Sequence, residues 1–153
     1  MTTLHESIQT TLPIDETFAY VADFANAQEW DPGVASAERL DAGPVRLGSQ
    51  YRLGVRIGRR VAPMEYRVSV FEPSTRVVLV GSGSGVSAVD EIRFARIAGG
   101  TRVDYTADIR LGGALRFIQP FLGRAFANLG RNAVEGMQRS LDARAASGKQ
   151  GAA

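Results

Sequence analysis

The sequence predicts an α+β protein in which one long C-terminal helix lies against a curved antiparallel sheet of seven strands. Two observations carry this prediction. Apolar and polar residues alternate with a period of two from residue 34 to residue 111, interrupted only by turns too short to hold a helix. Apolar residues then recur every three or four positions from residue 115 to residue 145, as in a helix with one buried face. A single sheet must cover one face, and this helix is the only predicted element long enough to do so.

The region before the sheet is predicted to contain one strand and two short helices. Alternation over residues 7–12 predicts the strand, which Pro13 ends. Two acidic residues follow at once, where the start of a helix favours negative charge. A second short helix around residues 25–29 ends at the turn sequence Asp31-Pro32-Gly33.

Six further strands are predicted before the long helix. Their bounds are 34–41, 50–57, 62–72, 76–82, 86–97 and 101–111. Because no helix separates them, consecutive strands should pair antiparallel as a meander. Residues 1–146 are expected to form a single domain, and residues 147–153 a disordered tail.

Composition narrows the possible functions. The chain has 153 residues, no cysteine and one histidine, which leaves no means of building a disulfide, a thiolate or multi-histidine metal site, or a cysteine nucleophile. No metal and no organic cofactor are therefore expected. The net charge of +2 is too small to indicate binding to nucleic acid. The N-terminus lacks the features of a signal peptide, and no apolar run reaches the ~20 residues that span a bilayer. We therefore expect a cytoplasmic monomer or homodimer without integral membrane association.

A resemblance to a known family is clearest in the N-terminal segment, SIQTTLPIDETFAYVADFANAQEWDPGV. This segment resembles the start of START-like (SRPBCC) proteins, in particular the polyketide cyclase/dehydrase group. The hairpin at residues 99–103 and the segment 115–120 extend the resemblance over residues 5–145. The resemblance implies a helix-grip (Bet v 1/START-like) fold and a role in binding hydrophobic molecules such as lipids. No catalytic motif is common to that family, so the resemblance assigns no catalytic residue.

The predicted topology places the mouth of a cavity at one end of the sheet. A curved sheet around one helix tends to leave space between them. Alternate turns of a meander share an edge, so residues 30–34, the turns 58–60 and 81–85, and the start of the long helix should meet at one rim. The glycine-rich turn 81–85 is either a mobile gate or an ordinary hairpin loop.

Strand parity selects the residues that face the interior. Apolar positions alternate with charged ones, so Tyr51, Met64, Tyr66 and Tyr105 are predicted to point inward. A buried tyrosine needs a hydrogen-bond partner, which can be protein, water or ligand. Trp30, the only tryptophan, is expected either to wall the pocket or to fill the core.

Asp90 is the strongest single candidate for chemistry. It shares a strand face with Ile92 and Phe94, and an inward carboxylate is costly unless it is paired or neutralised. It could orient a substrate hydroxyl or, together with Tyr66, act as a general acid or base. Alternatively, it pairs with an arginine or a tyrosine hydroxyl, or a bulge turns it outward.

Two phenylalanines of the last predicted helix do not follow its apolar stripe. Phe117 and Phe121 fall nearer to its arginine-rich face, and Pro120 either kinks the helix or marks its true start. The rings then line the cavity mouth, which we favour, or they are exposed and meet a partner or a membrane surface.

The sequence therefore leaves three functions open. The leading hypothesis is binding of a hydrophobic or aromatic small molecule in the cavity between the sheet and the last helix. The second is a polyketide cyclase/dehydratase-type enzyme acting there, with Asp90 and Tyr66 as catalytic candidates. The third is a protein-interaction module. The candidate ligand-binding residues are Trp30, Tyr51, Met64, Tyr66, Asp90, Tyr105, Phe117 and Phe121.

Overall fold

One seven-stranded antiparallel sheet forms the frame of the molecule in the computed structural model, which describes residues 2–151 and the side chains of residues 2–148. The strands are β1 (Thr2–Thr10), β2 (Val34–Arg39), β3 (Gln50–Ile57), β4 (Arg60–Glu72), β5 (Arg76–Gly83), β6 (Val86–Ile97) and β7 (Gly100–Leu111). Their order in the sheet is β1-β7-β6-β5-β4-β3-β2. Strands β2 to β7 therefore form the predicted meander, and β1 pairs with the last strand.

Two short helices connect β1 to β2. Helix α1 (Ile14–Ala22) follows Pro13, whose carbonyl oxygen accepts a hydrogen bond from the Thr17 amide at 2.9 Å. A short 3₁₀ turn (Phe24–Asn26) is capped by Asp23, which accepts from the Ala25 amide at 3.1 Å. Helix α2 (Ala27–Trp30) then ends at the turn before β2, as the sequence predicts.

The long helix starts later than its apolar spacing indicates. The chain after β7 forms two 3₁₀ segments, Gly113–Phe117 and Gln119–Phe121, before helix α3 begins. Pro120 stands at the start of the second segment, where its missing amide hydrogen is tolerated. Helix α3 (Gly123–Gly151) continues through part of the segment for which a disordered tail is predicted, since its alanines and polar residues are compatible with helix. Residues 152–153 lie outside the described residues.

A bulge in β4 changes which residues face the core. Val68 pairs with Leu79, but the register shifts before Val70 pairs with Val78. Beyond the bulge the inward position falls on Phe71 rather than on Val70, and the Phe71 ring contacts Phe18 at a centroid distance of 5.4 Å. Strict alternation fails here because one extra residue reverses the parity of the rest of the strand.

Four segments of the chain meet at one end of the sheet. We define the rim as residues 32–34, 56–61, 83–86 and 111–122. Hydrogen bonds hold it together, from the Gly112 amide to Gly85 O and from the Arg56 amide to Gly33 O, both at 2.8 Å. These bonds join the predicted segments in two pairs, but the 3₁₀ segments after β7 stand where the start of the long helix is predicted.

The opposite end comprises residues 10–16, 40–50, 72–76 and 96–101. Helix α3 runs toward it, and Met137 and Leu141 in the second half of the helix are completely buried. Near the rim, Phe126 is only half-buried and Leu129 is exposed. The sheet is therefore less closely covered on the rim side. No helix in residues 2–151 is both long and apolar enough to cross a membrane.

A candidate ligand site around Asp90

Asp90 projects into the interior from the middle of β6. Its neighbours in the sheet are Leu79 of β5 and Ala107 of β7, and only 6% of its surface is exposed. The Tyr105 hydroxyl donates a hydrogen bond to Asp90 Oδ2 at 2.9 Å. The inward direction that parity predicts is therefore correct, and the partner is a tyrosine hydroxyl rather than an arginine.

Burial gives Asp90 a pKa near neutrality. Removal from water raises the pKa of the carboxyl group to about 7, and the nearby carboxylates Asp31 and Asp108 add to the rise. The hydrogen bond from Tyr105 acts in the opposite direction by stabilising the anion. Near pH 7 both the acid and its conjugate base are populated, which is the condition for a general acid or base.

A second carboxyl group, Asp31, faces the same region. Its Oδ1 accepts a hydrogen bond from the Gly33 amide at 2.8 Å, which forms the turn into β2. Burial raises its pKa, and its charge also acts on Asp90, Tyr66 and Tyr105. The sequence marks Asp31 only as a turn residue. Its position next to Trp30, a candidate ligand-binding residue, is the one feature of the sequence that could have indicated it.

The tyrosines of this region remain neutral phenols. Burial raises the pKa of Tyr66 and of Tyr105 well above the ordinary value, and the charge of Asp90 raises both further. The Tyr105 hydroxyl is engaged by Asp90. The Tyr66 hydroxyl donates to no side chain or carbonyl oxygen of residues 2–148, so it is available as a donor.

Gly81 allows the ring of Tyr66 to lie against the sheet. The two residues are paired across β4 and β5, and a Cβ atom added at Gly81 would lie 2.4 Å from Tyr66 Cε1. No side chain fits in that space. The position of the Tyr66 ring therefore depends on a glycine in the facing strand.

The glycine-rich run is mostly strand rather than loop. Strand β5 extends to Gly83, and only Ser84 and Gly85 form the turn, with φ angles of 54° and 76°. Two consecutive left-handed residues are typical of a tight type I′ hairpin. The gate alternative therefore lacks the long loop it requires, because β5–β6 pairing continues up to the turn.

Aromatic side chains form the wall beside these polar groups. Phe24 is central, with its ring centroid 6.1 Å from Trp30, 6.3 Å from Tyr51 and 5.6 Å from Tyr66. Trp30 in turn contacts Tyr105 edge-to-face at 6.2 Å. The sequence does not identify Phe24 as a site residue, because an apolar residue in a short helical turn gives no sign of its neighbours across the fold.

Two buried polar atoms in this wall lack a well-formed hydrogen bond. Trp30 Nε1 makes no hydrogen bond with any other described part of the protein. The Tyr51 hydroxyl forms no hydrogen bond of good geometry, but it lies close to the Asp23 carboxylate, which contributes to the raised pKa of Tyr51. Such groups are rare, since each buried donor without a partner costs free energy. Trp30 Nε1 therefore identifies this region as one where the protein offers a hydrogen bond that its own fold does not use.

The candidate residues thus separate into an interior group and a surface pair. The interior group is Trp30, Tyr51, Met64, Tyr66, Asp90 and Tyr105. Phe117 and Phe121 lie on the rim and are 67% and 84% exposed, so they do not contact this group. The 3₁₀ geometry after β7 turns both rings to solvent, which favours the surface alternative for them. Among the described side chains, no group of three His, Asp or Glu residues is placed to hold a metal ion.

Comparison with known proteins adds the wider context. Residues 1–147 match the model of a family described as polyketide cyclase/dehydrase and lipid transport. Curated proteins gave no match.

Many solved structures share the fold. A START superfamily protein from Mycobacterium smegmatis has a TM-score of 0.77 at 12% identity, with 92% of this chain and 97% of that chain covered. The Zhui aromatase/cyclase from Streptomyces sp. R1128 has a TM-score of 0.67 at 16% identity, covering 90% and 94%. The di-domain aromatase/cyclase StfQ of the steffimycin biosynthetic pathway has a TM-score of 0.70 at 10% identity, covering 95% of this chain and 52% of that chain. These likenesses confirm the predicted helix-grip fold.

Proposed function

The chain belongs to the polyketide cyclase/dehydrase and lipid transport family. We propose that it binds a hydrophobic or aromatic small molecule between the sheet and α3. Asp90 would form a hydrogen bond with a polar group of that molecule. The observation that carries the proposal is the state of Asp90. It is buried, forms no ion pair with any described residue, and has a single tyrosine hydroxyl as its partner. A carboxyl group in that position weakens the fold, so a functional role is the simplest reason for it.

The surrounding groups define the chemistry of the ligand. Trp30 Nε1 is a buried donor without a protein partner. The Tyr66 hydroxyl makes no hydrogen bond with residues 2–148 either, and carbonyl oxygens are the matching acceptors for such donors. Asp90 can accept a hydrogen bond from a hydroxyl group. The rings of Phe24 and Tyr105 suit the edges and faces of a planar aromatic system. The site therefore fits an aromatic molecule that carries both carbonyl and hydroxyl groups.

The packing of α3 on the sheet supports entry of the ligand from the rim. The half of α3 nearest to the rim is less closely packed on the sheet than the other half, with Phe126 half-buried and Leu129 exposed. A ligand entering from the rim would pass beneath these side chains and reach Asp90. Pockets that bind small molecules commonly lie between such elements, with apolar walls and a few placed polar groups.

Fluorescence of Trp30 tests the binding proposal directly, because it is the only tryptophan in the chain. Titration with a dihydroxyanthraquinone, an aromatic probe with both carbonyl and hydroxyl groups, is expected to quench Trp30 and to saturate. Asp90→Asn should weaken binding roughly tenfold or more, because a hydrogen bond to a charged acceptor is lost. The matched control is Glu65→Gln, which removes a carboxylate on the solvent face of the same sheet. Absence of saturable quenching, or equal effects of the two substitutions, would contradict the proposal.

A second candidate function is a dehydration or cyclisation reaction in the same site, favoured by the pKa of Asp90 near 7. In a dehydration, the Asp90 carboxylate would take a proton from the carbon beside a ketone while the Trp30 and Tyr66 donors stabilise the oxygen. The electron pair then forms a carbon–carbon double bond, and the β-hydroxyl group leaves with that proton as water.

Conversion of a β-hydroxy aryl ketone to its enone, followed by absorbance, tests this reaction. The rate should rise with pH through about 7 as Asp90 ionises, and Asp90→Asn should abolish it. Saturable binding of the ketone without conversion would leave the protein as a binder only.

A further inference from the structure

We propose that the rim is a docking surface for an anionic lipid bilayer. Phe117 and Phe121 stand on it with most of their ring surface in water. Further exposed apolar side chains belong to the same rim: Ile57, Val61, Leu115 and Ile118. Apolar exposure concentrated at one end of a domain marks an interaction surface.

The exposed rings are held in place by the fold rather than by a loose loop. Gln119, between them, is buried and its Nε2 donates to Ile109 O at 2.8 Å and to Thr2 Oγ1 at 3.0 Å. Its Oε1 accepts from the Leu111 amide at 3.1 Å. These bonds fasten the segment to β7 and β1. The outward direction of both phenylalanines is therefore built into the structure.

The charge around these rings has one sign. The rim segments contain four arginines, Arg56, Arg59, Arg60 and Arg116, and no aspartate or glutamate. Within the described part of the chain, Arg59 and Arg60 form no ion pair. The segments of the opposite end differ, with four acidic residues and three arginines, and pairs such as Arg46–Asp41 at 3.7 Å and Arg76–Glu72 at 3.3 Å.

This combination fits a bilayer with anionic headgroups better than a protein partner. The Arg116 guanidinium lies 4.8 Å from the centroid of the Phe117 ring, so a ring can enter the headgroup region while the cation remains at the phosphates. Aromatic side chains and arginines on one protruding face are typical of proteins that lie on an anionic membrane. A protein partner would need a groove that fits these rings and hydrogen-bond acceptors for the arginines. A bilayer needs only an apolar interior for the rings and negatively charged headgroups for the arginines.

Docking on a bilayer would give the rim a place in ligand transfer, although it does not depend on the proposed ligand site. The rim surrounds the less covered side of the sheet. A docked molecule would present that side to the hydrocarbon region, from which an apolar ligand could pass without crossing water.

Vesicle co-sedimentation of the full chain tests the proposal. Vesicles of phosphatidylcholine with roughly 30 mol % phosphatidylserine should bind the protein, and pure phosphatidylcholine should bind it at least about tenfold more weakly. High salt should reduce binding to the anionic vesicles. Phe117→Ser with Phe121→Ser, and separately Arg59→Glu with Arg60→Glu, should each lower binding about tenfold or more.

Matched controls separate the rim from general charge and from the interior site. Arg67→Glu with Arg96→Glu makes the same change in net charge on exposed positions away from the rim and should change binding by less than about twofold. Unchanged urea unfolding should show that all rim variants are folded. Trp30 quenching by the dihydroxyanthraquinone should persist in them, which isolates docking from ligand binding.

Three results would overturn the proposal: no binding to anionic vesicles, equal loss in rim and control charge variants, or a dimer of the wild type that Phe117→Ser with Phe121→Ser converts to a monomer without vesicle binding. The last result would assign the rim to a second copy of the chain.

Discussion

The rim and the opposite end of the sheet belong to the same strands, but they differ in the interactions that their side chains make. At the opposite end, Phe18 packs edge-to-face against Phe71 and Phe94, and surface charges are ion-paired. Toward the rim, the interior holds Asp90 and the unpaired Trp30 Nε1, and the surface holds exposed rings and arginines. One end therefore supplies stability, and the other carries the features that stability alone would not select.

The largest expected effect lies in the apolar half. Phe18→Ala should destabilise the protein by about 3–5 kcal/mol, because it removes a buried ring with two aromatic neighbours and leaves a cavity. Urea unfolding measures this loss. Binding of the dihydroxyanthraquinone by the folded variant should change less than about twofold, corresponding to a shift of a few tenths of a kcal/mol. A loss of affinity as large as that of Asp90→Asn would contradict the claim that the opposite end supplies stability and not ligand binding.

Asp90→Asn should have the opposite effect on stability, and the effect should depend on pH. In the unfolded chain Asp90 ionises at its ordinary pKa of 3.8, and in the folded protein at about 7. As pH rises through this window the unfolded chain releases its proton first, so the wild type loses stability and the asparagine variant does not. At about pH 8 the variant should be more stable by on the order of 4 kcal/mol, and at about pH 3 nearly equal.

Urea unfolding at acidic, neutral and alkaline pH checks this prediction, with Glu65→Gln as the exposed carboxylate control. That control should show no comparable trend, because its ion pair with Arg52 lies in water. If Asp90→Asn destabilises the protein at every pH, Asp90 is a structural hydrogen-bonding group, and the contrast between the two ends fails.

A smaller effect is expected from Gly81→Ala. The added methyl group would overlap the Tyr66 ring, which must move, at a cost of about 1–3 kcal/mol. Displacement of the Tyr66 hydroxyl should also weaken binding of the probe. Ser82→Ala, on the exposed face of the same strand, serves as the control and should change neither quantity. Unchanged affinity in Gly81→Ala would remove Tyr66 from the site.

The alternation of apolar and charged residues correctly predicts strands and their inward faces wherever one face of the sheet is buried and the other is charged. In β3, Tyr51 and Leu53 are buried and Arg52 is exposed, so both the strand and its inward face follow from the sequence. The same reasoning correctly places Met64 and Asp90 inside. Periodicity cannot reveal the bulge in β4, because the register shift is decided by pairing with β5.

The start of α3 shows a different limit. Apolar spacing continues without a break through residues 115–122, but Gln119 bonds to β7 and β1 and the chain there forms 3₁₀ turns. Those partners are far away in sequence. For the same reason the sequence does not identify Phe24 and Asp31 as site residues, since only the folded topology brings them to Tyr66 and Asp90.

The titration of the Asp90 carboxyl group is the most direct test of the proposed site. Carbon-13 NMR of the aspartate side chains, assigned with Asp90→Asn, follows its ionisation in the free protein and in the presence of the dihydroxyanthraquinone. The expected result is a midpoint near 7 for the free protein and a clear shift of that midpoint on saturation with the probe. A midpoint close to the ordinary value of 3.8, unchanged by the probe, would contradict both the burial of Asp90 and its role in binding.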